Sequence, residues 1–348
     1  MAPGWMMRLL TGLVAVCSLL IGLARLLGPA LPEPVWIAVG QADGRIAILD
    51  GQRGLGVTVI RAGALCDEIY ARCGQVWSPG RDAFVYMQLD PTLITRPVGL
   101  AIFDLNSARS RLIRADSTAY NPVWLPDAAH IAYFARRDFR NPGEPGLFWL
   151  NLTDGVEREL LPRVNDRYLA ASPDGTRLAL VNLQRQLIVF NLLNGGRQSI
   201  AQPAFSPRWS PGGDWLTYVG MASADSDIYI IRPDGRDQRP ITLTSAEDND
   251  PAWLGDSGRI LFTGLRVRSY GPDYNLYIIA ADGSDRRRLF IPGLSYPEAP
   301  QWSAGLGVIL FTARRRGLTD LYQVRLDGSG LRPLTLGGLR NLAVAGGD

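Results

Sequence analysis

Pro207-Arg208-Trp209-Ser210-Pro211-Gly212-Gly213 opens a unit that continues with the apolar run 215–219, Asp227-Ile228-Tyr229-Ile230, Asp234-Gly235 and Pro240-Ile241-Thr242. Each apolar run is too short for a helix, is rich in β-branched and aromatic residues, and ends at Gly, Pro, Asn or Asp. That is the texture of consecutive antiparallel hairpins. The Asp-Gly pair tolerates positive φ, as a two-residue hairpin turn requires. The unit recurs on both sides. Its opening returns as Trp77-Ser78-Pro79-Gly80, Trp124-Leu125-Pro126-Asp127, Ala171-Ser172-Pro173-Asp174-Gly175, Trp253-Leu254-Gly255-Asp256 and Trp302-Ser303-Ala304-Gly305. The first positions of these six copies are 47, 47, 38, 44 and 49 residues apart, the size of a four-stranded propeller blade.

The second half of the unit repeats as well, at residues 147–150 with Asp154-Gly155, 187–190 with Asn194-Gly195, 276–279 with Asp282-Gly283, and 321–324 with Asp327-Gly328. A seventh copy stands at the front, residues 36–39 and 46–49 with Asp50-Gly51, and lacks only its innermost, Trp-bearing strand. The apolar run 342–345 after Leu334-Thr335 is placed to supply that strand and close the ring, leaving no exposed sheet edge at the seam. The expected fold is therefore all-β: a seven-bladed β-propeller of four-stranded blades. A six-bladed ring with the first strands packed outside is the alternative.

The order P-x-W-S-P-D-G, apolar strand, D-(I/L)-Y, D-G, L-T resembles the repeat of TolB-like, WD-repeat-like β-propellers. Pro251-Ala252-Trp253, Asn275-Leu276-Tyr277, Pro300-Gln301-Trp302 and Asp320-Leu321-Tyr322 carry it alongside the opening unit. The resemblance covers about 300 residues and implies a fold more than an activity, since the same repeat serves scaffolds, chaperone-like partners and peptidase gates. Full TolB proteins carry a separate α/β domain before the propeller. Here an apolar segment and a short proline-containing stretch stand in that place, which departs from the TolB pattern.

Composition narrows the chemistry. The 36 basic residues are all Arg, against 33 acidic ones, for a formal charge of +3, with one His and three Cys. A near-neutral chain has no field to draw it onto nucleic acid. Without Lys there is no phosphate-loop lysine, Schiff base or Ser–Lys dyad. One His forbids a multi-histidine metal centre, and no G-x-S-x-G elbow accompanies His130, which is expected to be an exposed strand-edge residue. The chain is therefore expected to be non-enzymatic, with no catalytic residue and no metal site assigned. The acidic run Glu247-Asp248-Asn249-Asp250 has oxygen ligands suited to calcium but lacks the spacing of an EF-hand loop; it reads as a solvated loop.

Residues 9–24 are apolar apart from Thr11 and Ser18, follow Arg8, and end before Gly28-Pro29 and Pro32. The run lies between a signal-peptide core and a full span in length, and an uncleaved signal-anchor helix is preferred to a cleaved signal. Val16 before Cys17 is too large for a lipidation box. Arg8 places the N-terminus inside, so the division is 1–31 membrane anchor and 32–348 propeller, on the extracytoplasmic side of the cytoplasmic membrane. There, Cys66 and Cys73 read as a structural disulfide.

The periodic Trp residues are expected to fill the wedges between blades. Strand direction alternates within a blade, so the longer loops share one face with the connections between blades. Arg136, Arg137, Arg140, Arg266, Arg268, Tyr270, Arg314, Arg315 and Arg316 fall on that face and are the candidate ligand-binding residues, suited to carboxylates or sugars. The expected function is non-catalytic recognition of a protein, peptide or glycan by a monomeric propeller without cofactor. The alternative is a carboxylate- or metal-dependent hydrolase, lactonase- or glycosidase-like. Its channel-mouth positions are Gln75, Asn121, Asp250 and Glu298.

Overall fold

The computed structural model describes residues 35–40, 45–51, 55–61, 63–65, 75–116, 118–136, 145–164, 168–221, 225–244, 246–255, 258–268 and 271–335. They form seven antiparallel sheets and no helix. Chain order runs outward from the axis in each sheet. Blade 5 is typical: Ala204–Trp209, Leu216–Gly220, Asp227–Ile231 and Arg239–Pro240. Its second and third strands are buried at every position, because a neighbouring blade covers each face. Those strands therefore read as unbroken apolar runs instead of alternating ones.

Blade 1 comprises Trp36–Gly40, Ile46–Asp50 and Leu55–Ile60. It is a blade of the ring and no external addition: Ile37, Val39 and Leu49 share a core with Val308, Leu310 and Leu321 of blade 7, while Ala38, Ile46 and Ile48 pack with blade 2. Arg332 Nη2 donates to the Gly51 carbonyl (3.4 Å) across the same seam. Seven blades thus replace the six-bladed alternative. The expected closing strand 342–345, the anchor 1–31 and the Cys66–Cys73 pair lie outside the described residues.

The repeat motif has a physical reading at each position. The residue before the proline of P-x-W is left-handed in four blades, at Asn121 (φ 49°), Ser206 (50°), Asp250 (55°) and Ala299 (48°). The ladder slips there, making a bulge in each innermost strand. Trp209 and Trp253 reach back one blade, their indole N–H groups donating to the Ala170 (3.1 Å) and Arg208 (3.2 Å) carbonyls. In the S-P-D-G turn, Ser172 Oγ accepts from Arg177 N (2.9 Å) while Gly175 takes φ 69°, a conformation that favours glycine. Within a blade, aromatic pairs stack across the second and third strands, among them Tyr218–Tyr229 at 5.3 Å and Phe262–Tyr277 at 5.4 Å between centroids.

The closing L-T is a latch. Thr242 Oγ1 accepts from Ile228 N (2.9 Å) and donates to Asp227 Oδ1 (3.1 Å); Thr335 repeats both bonds with Leu321 and Asp320 at 3.0 Å. This explains why D-(I/L)-Y and L-T travel together in the sequence. Thr242→Val, which leaves a buried N–H and a buried carboxylate short of a partner, is expected to cost about 1–3 kcal/mol in equilibrium denaturation. Thr242→Ser is expected to retain most of that.

Candidate site at the mouth between blades 6 and 7

Blade 6 runs through Glu247–Trp253, Arg259–Arg268, Gly271–Ala280 and Arg287–Leu289, and blade 7 through Ser295–Ser303, Val308–Arg315, Leu318–Val324 and Arg332–Pro333. On the loop face their first three strands are unusually long. Glu247, Leu265 and Tyr274 stand opposite one another in blade 6. In blade 7 the innermost strand slips twice, on either side of Glu298, and Tyr296 is left-handed at φ 51°. Those irregularities sit where Tyr296 meets Tyr274, at 4.5 Å between centroids. The Arg314 guanidinium covers the Tyr296 ring at 4.9 Å. Glu247, Glu298 and Arg314 are exposed, and both tyrosines are half-buried. Partial burial pushes the Tyr274 phenol up, the neighbouring Tyr296, Glu247 and Glu298 adding to the rise and Arg314 opposing it. The Tyr274 hydroxyl therefore remains a donor at neutral pH, beside two carboxylates and one guanidinium. The cleft offers aromatic faces together with donors and acceptors, suited to holding a ligand.

Of the candidate residues, the structure brings Arg314 into this cleft, with Arg315 and Arg316 at the exposed hairpin beside it. Arg266 lies opposite Asp273 in the neighbouring hairpin. Arg136 is exposed in a different blade, its backbone N–H donating to Thr118 Oγ1 (2.9 Å). Arg137, Arg140 and Tyr270, and the side chain of Arg268, lie outside the description. Nor is arginine confined to this face: exposed Arg197, Arg236 and Arg325 occupy the opposite one. Tyr274 and Tyr296 were missed from sequence, because neither occupies the repeat's periodic aromatic position.

The channel-mouth positions divide. Gln75 is a structural pin: its side-chain amide accepts from Ala171 N (2.9 Å) and donates to Ala171 O (3.2 Å). Asp250 accepts from Ala299 N (3.2 Å), joining blades 6 and 7. Asn121 occupies one of the repeated bulges. Only Glu298 reaches the cleft.

Two expectations need correction. Residues 247–250 are no solvated loop but the start of the innermost strand of blade 6. Asp248 is wholly buried and ion-paired to Arg286 (3.2 Å); an ion pair hid a core position behind acidic residue types. His130 is not an exposed edge residue. Its ring stacks on Trp149 (4.0 Å, 19°) and Nδ1 meets Asp127 Oδ2 at 2.5 Å. Among the described residues, no three His, Cys, Asp or Glu side chains are grouped to hold a metal ion, and no helix is long and apolar enough to cross a membrane.

No family model matches the chain. A TolB homologue from Chlorobium luteolum is 31% identical over 166 residues, spanning 46% of this chain and 37% of that protein. The match thus takes in little more than a third of the relative's length. TolB from Acinetobacter baumannii aligns over 88% of this chain and 81% of its own, with 16% identity and a TM-score of 0.52. Oligogalacturonate lyase from Vibrio parahaemolyticus aligns over 83% and 86%, with 14% identity and a TM-score of 0.64. At such identities the structural likenesses speak for the fold alone, which is shared by proteins with and without an enzymatic name. The chain is a seven-bladed β-propeller whose repeats are similar to those of TolB homologues.

Proposed function

We propose that this propeller is a non-catalytic recognition module that binds a protein or peptide at its loop face, tethered by residues 9–24 outside the cytoplasmic membrane. The observation that carries the reading is the cleft of Tyr274, Tyr296, Glu247, Glu298 and Arg314: two phenol rings in tilted contact, flanked by opposite charges, at the inner end of two lengthened hairpins. Tyrosine and arginine are the residue types that dominate binding energy where an interface excludes water. The fold's similarity to TolB homologues supports the same reading.

The test is affinity capture from solubilised membranes with the full chain as bait. Tyr274→Ala/Tyr296→Ala is expected to lower capture of the specific partner about 30-fold or more, the loss of one strong hot spot. Arg136→Ala, remote from the cleft, is expected to leave it within about twofold. Equal capture by wild type and the tyrosine variant would sink the assignment. Turnover of a lactone or glycoside panel by the wild-type chain, lost in Glu298→Gln, would favour the hydrolase instead.

A further inference from the structure

Blade 6 departs from the repeat beside the cleft. Ile241, Leu289 and Leu334 occupy one repeat position, each paired with the second residue of its blade's third-strand motif: Ile228, Leu276 and Leu321. The residues that follow in blades 5 and 7 are the latches Thr242 and Thr335. In blade 6 that place belongs to Phe290. The aspartate that the latch engages, Asp227 or Asp320, is Asn275 there, and its Nδ2 donates instead to the Asp273 carboxylate at 2.9 Å. Thr242 is 2% exposed, whereas Phe290 is 65% exposed. The exchange forfeits the latch and turns most of a phenyl ring to water, a broken local rule of the kind that proteins retain at functional sites.

Phe290 stands at the outer end of a row that crosses blade 6. Leu276 pairs with Leu289, so Phe290 follows beside the strand that carries Tyr274. Leu265 separates Tyr274 from Glu247 in the same register. From Glu247 to Phe290 the row crosses three strand spacings, about 14 Å. Glu298 adds a second exposed carboxylate on the innermost strand of blade 7, while Arg314 stands one strand farther out, over the Tyr296 ring. Among the described residues, neither carboxylate has a side-chain hydrogen bond or ion pair. The site is therefore negative toward the axis, aromatic at its centre and apolar at its outer end.

We propose that the cleft takes an extended peptide segment whose basic side chain lies between Glu247 and Glu298 and whose apolar side chain, about four residues away, covers Phe290. The assignment rests on the reading of the cleft as a recognition site. An extended chain advances about 3.4 Å per residue and turns alternate side chains to one face. Residues i and i+4 therefore reach the two ends of the row while i+2 faces the tyrosines. The long stem of Arg or Lys lies along a phenol ring as its charge meets the carboxylates. Covering Phe290 restores the burial that its repeat position has in blade 5.

The test pans random peptides about 12 residues long, about 40 Å when extended, displayed on phage against the full chain. The recovered peptides are expected to share Arg or Lys with Leu, Phe or Trp about four residues away. Binding of a recovered peptide is then measured by fluorescence anisotropy. Glu247→Gln/Glu298→Gln is expected to weaken it about tenfold or more and to flatten its salt dependence. Phe290→Thr is expected to weaken it about tenfold while leaving the urea midpoint unchanged or raised, since threonine restores the latch. Peptides that bind Tyr274→Ala/Tyr296→Ala as tightly as wild type, or a library that yields none, overturn recognition at the cleft itself. Acidic peptides that need the tyrosines and weaken in Arg315→Gln/Arg316→Gln overturn the proposed chemistry alone, as does undiminished binding to Phe290→Thr or to the glutamine variant.

Discussion

Arg286→Met is expected to destabilise the propeller by about 3–5 kcal/mol, the cost of leaving a buried carboxylate without its partner. Arg286 crosses the face of blade 6, its guanidinium 4.5 Å from the Tyr277 ring and 5.3 Å from Phe262, and ends on Asp248 at 3.2 Å. Asp248 has no solvent exposure. Thr244 Oγ1 donates to its other oxygen at 3.2 Å. Gly264 is required here, since a β-carbon would come 2.7 Å from the Asp248 carboxylate and 2.9 Å from the Tyr277 ring. Arg286→Met/Asp248→Leu, which removes both charges, is expected to recover most of the loss.

The pH dependence has a definite sign. Burial pushes the Asp248 carboxyl above its ordinary value, and Arg286 opposes that rise. A carboxyl whose folded pKa exceeds its unfolded one contributes stability that is complete below the unfolded value and is lost as pH climbs through the folded value. Without Arg286 the folded value rises further, so the deficit of Arg286→Met is expected to be largest near neutrality and to shrink as the pH is lowered toward 4. Urea denaturation at several pH values measures it. A deficit under about 1 kcal/mol, or one independent of pH, would refute the role given to the pair.

Trp209→Ala is expected to cost about 3–5 kcal/mol through lost burial and an unfilled wedge between blades 4 and 5. The indole is buried, its N–H bonds the Ala170 carbonyl of the preceding blade, and the Arg177 guanidinium covers its ring at 4.9 Å. Trp209→Phe keeps a ring in the wedge but leaves that carbonyl short of a donor, and is expected to cost about 1–3 kcal/mol. Trp302→Ala is expected to cost less than Trp209→Ala, because Trp302 is only half-buried. The same denaturation experiment ranks the three, and equal losses at positions 209 and 302 would show that repeat position, and not burial, sets the contribution.

The repeat itself determined the architecture. Proline, tryptophan, the Ser-Pro turn, the Asp-Gly hairpin and the terminal Leu-Thr each answer a local demand: a bulge, a wedge, a tight reversal, a positive φ, a latch on the buried start of the third strand. Such demands are met within a few residues or by the same position one blade away, so they leave a period in the sequence. Blade 1 was legible for the same reason, although only packing against blade 7 showed it to be part of the ring. The cleft left no comparable trace. Tyr274 and Tyr296 belong to different blades, fall outside the periodic positions, and meet because two hairpins are lengthened and one innermost strand slips twice. Asp248 was misread for a related cause: a charge looks solvated until the arginine 38 residues later is seen to neutralise it. The absence of lysine excluded chemistries from the sequence alone. Where the arginines stand was decided by tertiary structure, because alternating strand direction sends them to both faces and only a few stand beside the paired tyrosines.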